Sequence, residues 1–136
     1  MLDFYMVCIR RMSATDIQFF FQMREQIKLY HWQTESYSRH KATDEVIGKL
    51  DALVDRYVEV YIGKYGRPKM NSTTNTIKVL NMSEPTATRF VKSCIEYLIR
   101  DLVPKSGKRA EDTDLTTIRD EMLADMNQLL YLFSLN

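Results

Sequence analysis

The chain has 136 residues, 45% of them hydrophobic, which is enough for one core and one domain over residues 1–136. Nineteen basic and 18 acidic side chains leave a formal net charge of +1, which excludes a general electrostatic pull towards nucleic acid or an anionic membrane. Four Gly and three Pro argue against a turn-rich β protein, and no uncharged run is long enough to span a bilayer. The apolar stretch of MLDFYMVCIRR is too short for a secretory signal, and its charges follow it. We therefore expect an intracellular protein or a virion component, not a secreted one. Cys8 and Cys94 fit no CxxC or disulfide-scaffold pattern and are expected as reduced thiols.

Four helices are predicted in chain order. The first covers about 14–37. It opens at SATD, where Ser13 can cap, and carries Phe19, Phe20, Met23, Ile27 and Tyr30 on one stripe. The second covers about 39–65 and stops at Gly66 and Pro68, one able to take positive φ and the other unable to continue the ladder. RPKMNSTTNTIKVLNM is polar and poor in helix formers, so it reads as a long connection. The third helix, about 84–103, opens on SEP with Ser83 as cap and is ended by Pro104 and Gly107. Its stripe is Phe90, Val91, Cys94, Ile95 and Leu98. The fourth covers about 112–134. Short links join helices 1–2 and 3–4, and a connection of roughly 15 residues joins the pairs. The expected fold is all-α: a four-helix bundle of two antiparallel hairpins joined by one crossover connection.

On a helical wheel the second helix has three faces. Val46, Leu50, Leu53, Tyr57, Val60 and Tyr61 form the core face, and Lys41, Glu45, Lys49 and Arg56 face solvent. Between them runs a mixed stripe of His40, Asp44, Asp51 and Asp55 with Val58 and Ile62, and Glu59 at its outer edge. His40/Asp44 and Asp55/Glu59 are i,i+4 pairs, each able to offer two ligands from one side of a helix. Eleven residues separate Asp44 from Asp55, about 16 Å along a helix, so one metal ion cannot bridge them within one chain. A shared site needs a second, antiparallel copy of the helix. The other reading of the stripe is a solvated charge file. His31 lies at the edge of the first helix's apolar stripe, a place where a single His is commonly hydrogen-bonded and part-buried.

His31-Trp32 followed by H-x-x-x-D, ten residues and D-x-x-x-E resembles the ferroxidase pattern of Dps proteins, the miniature ferritins that protect DNA in starved cells. Stretches like LYHWQT and GKYG also resemble uncharacterised Dps-like proteins of phages and large DNA viruses. The His31–His40 spacing of nine is shorter than is usual in the Dps family. The resemblance implies a ferritin-like fold and a homo-oligomer containing at least a two-fold dimer. It also implies that one chain supplies His31, His40 and Asp44 while its mate supplies Asp55 and Glu59. Carboxylates with imidazoles suit Fe(II), Mn(II) or Zn(II), and the family likeness points to iron, oxidised by peroxide or dioxygen.

Two functional readings follow. One is a Dps-like iron-binding protein with ferroxidase activity. The other is a structural ferritin-like bundle without turnover, a subunit of a larger assembly such as a virus particle. Nucleic-acid compaction has only the short basic clusters Lys105, Lys108, Arg109, Arg67 and Lys69 behind it, so neither nucleic acid nor a membrane is an expected partner.

Overall fold

The computed structural model describes residues 2–102 and 110–135, with side chains described over 14–102 and 111–135. Among these residues the chain is all helical, with no strand: α1 Leu2–Gln33, α2 Tyr37–Tyr65, α3 Glu84–Arg100 and α4 Thr113–Phe133, the last preceded by a 3-10 turn at Ala110–Asp112. None of the described helices is long and apolar enough to cross a membrane.

Local chemistry sets most of the ends. Gly66 closes α2 at φ 93°, with its N–H on the Ile62 carbonyl at 2.9 Å. A side chain there would be strained. Ser83 caps α3 by accepting from the Thr86 N–H at 3.3 Å, and Pro85 sits in the first turn, where a missing N–H is harmless.

Several boundaries differ from the sequence expectation. α1 begins at Leu2 rather than near residue 14. No Gly or Pro interrupts 2–33, so Ser13 stands inside the helix instead of capping it. α1 stops at Gln33 rather than 37, and α2 opens at Tyr37 rather than 39. Ser36 caps α2 by accepting from the Arg39 N–H (3.3 Å), while Thr34 Oγ1 accepts from the Ser36 N–H (3.1 Å). Two hydroxyls thus build a three-residue turn. α3 ends at Arg100 rather than 103, with the Asp101 and Leu102 N–H groups both on the Tyr97 carbonyl. Pro104 and Gly107, the expected stops, lie outside the described residues.

The helices pack in the ring order α1–α2–α4–α3. Glu84, at the start of α3, meets Tyr30 near the end of α1, whereas Tyr97, near the end of α3, meets Asp16. Lys64, at the end of α2, pairs with Asp114 at the start of α4, and Arg39, near the start of α2, reaches the Phe133 carbonyl. Every neighbour in the ring is therefore antiparallel. The core holds Phe20, Met23, Ile27, Leu50, Tyr57 and Met122, with contributions from all four helices.

The connection from α2 to α3 runs beside α1 over nearly the bundle's length. It begins with a turn in which the Asn71 carbonyl accepts from the Thr74 N–H at 3.1 Å. Three glutamines one helical turn apart then hold it. Gln18 reaches the Thr76 carbonyl (2.8 Å), and Gln22 and Gln26 bond both N–H and C=O of Lys78 and Leu80. Four helical residues advance about 6.0 Å and two extended residues about 6.6 Å, so the two repeats run nearly in step.

Two substitutions probe this architecture. Gly48 stands mid-helix in α2, and an added Cβ meets nothing within 4 Å. Gly48→Ala is expected to raise unfolding free energy by about 0.5–1 kcal/mol in denaturant titrations. Arg39→Ala, which removes bonds to three other helices, is expected to lower it by about 2–3 kcal/mol.

Candidate metal centre

The tight α1–α2 turn brings both histidines together. Their rings stack at 3.9 Å between centroids, 17° apart. His31 Nδ1 lies 2.9 Å from the His40 carbonyl oxygen and 2.9 Å from Thr43 Oγ1. His40 Nδ1 lies 2.9 Å from the His31 carbonyl oxygen. A carbonyl only accepts, so Nδ1 is the donor in each ring, and the neutral tautomer of each has its lone pair on Nε2. Thr43 is fully buried, and its hydroxyl donates to the Arg39 carbonyl at 2.8 Å, leaving the oxygen as second acceptor for His31. Burial pushes the His31 pKa below 6.5 and the neighbouring His40 ring adds to this, against the bond to the His40 carbonyl and the Asp44 charge. The neutral ring is therefore the resting form at neutral pH.

The acidic residues are arranged differently. Asp44 is exposed one turn after His40. Asp55 stands at the rim of a groove of 630 Å³ between α1 and α2, floored by Phe20, Met23, Leu50 and Val54 with Phe21 half exposed beside it. Glu59 is exposed one turn further on. Because α2 is unbroken, Asp55 stays about three turns from Asp44 and Glu59 about four. Among the described residues of one chain, no three of His, Cys, Asp and Glu are grouped to hold a metal ion. Asp51, on the same stripe, is taken by Arg24 at 2.8 Å.

Trp32 does not pack into the bundle. It is 68% exposed, with Lys28 Nζ 5.2 Å from its ring centre, because position 32 points away from the Ile27–Tyr30–His31 face. Thr43 and Arg39 were not among the expected site residues. The signal for Thr43 is its place three residues after His40, on the same side of the helix. Cys94 is a buried free thiol whose pKa burial pushes up, and the Cys8 side chain lies outside the described residues. Arg67 and Lys69 are exposed, while Lys105, Lys108 and Arg109 lie outside the described residues.

Comparison with known proteins follows the same stretch of chain. The model of a family described as "Family of unknown function (DUF5856)" matches residues 31–133. The chain belongs to that family. The matched region contains all five expected ligands, starting at His31. An enterobacteria phage T4 protein, described as "Uncharacterized 14.6 kDa protein in mobD-ri intergenic region", is 38% identical over 58 residues. That match covers 38% of this chain and 45% of the phage protein, so it spans less than half of the relative's length. No solved structure matches the chain.

The lowered His31 pKa has a thermodynamic consequence. Between the folded-state pKa and 6.5 the unfolded chain binds more protons than the folded one, so stability falls as pH drops through that window. Denaturant titrations at about pH 5 and about pH 7.5 should show this loss, and His31→Gln should make the profile flatter.

Proposed function

We propose that two copies of this bundle meet along the α1–α2 face and bind Fe(II) between them. His31, His40 and Asp44 come from one chain and Asp55 and Glu59 from the other. The observation that carries the reading is the reciprocal bonding of the two histidines. With each Nδ1 committed to a backbone carbonyl, each ring is oriented and Nε2 is the nitrogen left to offer a metal its lone pair in the neutral tautomer. The donor set fits the ion: two neutral imidazoles with carboxylates suit Fe(II), and also Mn(II) or Zn(II).

Three further features support it. The ring order and the long connection beside α1 are in keeping with a bundle that has a single crossover, as ferritin-like folds have. An apolar groove with a half-exposed Phe21 borders Asp55, surface of the kind a second subunit covers. The turn also brings His31 to His40 despite the short spacing. Similarity to a phage protein is in keeping with a viral protein.

In this reading ferrous iron is the substrate. Two Fe(II) ions each give one electron to peroxide, which takes up two protons and leaves as two waters. His31 and His40 present the imidazoles, and Asp44, Asp55 and Glu59 balance the charge that accumulates on oxidation.

A second reading is a ferritin-like bundle without turnover, a subunit of a larger assembly such as a virus particle. The Arg24–Asp51 pair beside the apolar groove favours it, since it makes the acidic stripe usable as a protein–protein seam.

Aerobic addition of Fe(II) to the purified protein separates the two. Ferric absorbance should develop faster than in buffer and fall to background in an Asp55→Asn/Glu59→Gln double variant. Melting temperature should also rise with Fe(II), Mn(II) or Zn(II), and Asp55→Asn should lose that rise. A dimer without ferric product supports the structural reading. A monomer by light scattering sinks the shared site.

A further inference from the structure

We propose that residues 76–81 present an open strand edge that takes an extended acidic segment of another protein by β-pairing. Within residues 76–81 the glutamines of α1 engage the main chain of alternate residues, and Gln18 also reaches back to the Thr73 carbonyl at 3.4 Å. Gln18 Nε2 reaches the Thr76 carbonyl at 2.8 Å, Gln22 bonds Lys78 at 2.6 and 3.0 Å, and Gln26 bonds Leu80 at 2.5 and 2.9 Å. In an extended chain, successive N–H and C=O groups point to opposite edges. With Thr76, Lys78 and Leu80 turned towards α1, those of Ile77 and Val79 are turned away from it. They have no hydrogen-bond partner among the described residues. The flanking side chains are apolar and accessible: Ile77 is 36% exposed, Val79 39% and Leu80 55%. The segment therefore has the two properties that strand addition requires, a row of free main-chain groups and side chains able to pack on a newcomer.

Charge selects the occupant. From Tyr61 to Ser83 the chain has no acidic residue, while Lys64, Arg67, Lys69 and Lys78 are basic. Lys64 is paired with Asp114 at 3.0 Å. Arg67, Lys69 and Lys78 are exposed and, among the described residues, pair with no carboxylate. A second copy of this chain pairing through the same edge would lay one basic segment beside another. A partner strand alternating apolar and acidic residues instead packs on Ile77 and Val79 and answers Lys78.

The probes are a synthetic peptide alternating Val and Glu and its Val–Lys counterpart, each titrated against the full chain by fluorescence anisotropy. The acidic peptide should bind, with the basic one weaker. Lys78→Glu should weaken acidic-peptide binding about two- to fivefold. Val79→Pro removes an outward N–H without touching any glutamine bond and should weaken binding about tenfold. Amide hydrogen exchange on the unsubstituted protein provides a readout that does not depend on any variant folding. In the free chain Lys78 and Leu80 should exchange slowly and Ile77 and Val79 fast, and the acidic peptide should protect Ile77 and Val79. Three results would overturn the proposal: no binding, equal binding of the two peptides, or concentration-dependent protection of Ile77 and Val79 without peptide. The last would mean that a second copy holds the edge.

Discussion

One guanidinium closes an end of this bundle. Arg39 Nη1 donates to the Tyr30 hydroxyl at 3.0 Å and the Glu84 carbonyl at 2.9 Å, and Nη2 to the Phe133 carbonyl at 3.2 Å. Its Nε faces the Glu84 carboxylate at 2.9 Å, and its Cζ lies 4.3 Å over the Phe133 ring. These partners belong to α1, α3 and α4, so a side chain of α2 binds all three other helices. Only a planar group with several fixed donors can do so. Burial pushes the Glu84 pKa up, but the Tyr30 and Thr34 hydroxyls and Arg39 outweigh it and hold the carboxyl below its usual range. Arg39 directly precedes His40, so the same turn of α2 that anchors the bundle aims the histidine pair.

Elsewhere a recurring device joins the helices: a tyrosine hydroxyl donating to a carboxylate. Tyr30 gives to Glu84 and Tyr97 to Asp16, both at 2.6 Å, and Tyr65 gives to Asp112. The first two link α1 with α3, and the third links α2 to the residue that opens α4. Each bond satisfies a carboxylate oxygen at a junction between two elements. The arrangement makes the frame rigid at both ends. Unbroken between them, α2 acts as a straight spacer that holds the His40/Asp44 and Asp55/Glu59 pairs apart. What a single chain cannot bring together, a two-fold axis can.

Much of this frame is legible in the sequence because periodicity reports burial. Val46, Leu50, Tyr57 and Tyr61 are buried on the face the wheel assigns them, and the α3 stripe buries Val91, Cys94 and Leu98. The Gly66 stop and Ser83 cap are also readable, being local backbone chemistry. The start of α1 was missed because a good capping residue acts as a cap only where the preceding residues leave the helix. The α1–α2 turn was misplaced because several hydroxyl residues compete there, and tertiary contacts select Ser36. The histidine pair illustrates a deeper limit. His31 and His40 are visible as candidates, but their bonds run to main-chain carbonyls, which every residue possesses, so no residue type marks them. The fixing of His31 by Thr43 depends on a turn that only the fold defines.

The glutamine-held connection carries a constraint of parity. Surface loops ordinarily accept insertions and deletions of any length, because nothing fixes their phase. Here each glutamine must meet a residue whose main chain faces α1, and that facing alternates from one residue to the next. Losing one residue between Thr76 and Leu80 would turn the following amides outward and strand Gln26; losing two would shift the register and keep the phase. The two repeats also act as a vernier. The extended chain gains only about 0.6 Å on the helix at each rung, so the phase holds over the three rungs from Gln18 to Gln26. After Gln26 the next helical glutamine is Gln33 rather than a residue four further on, and it meets Asn81 and the Met82 N–H. Evolution of this segment should therefore proceed in even steps, a pattern foreign to ordinary loops.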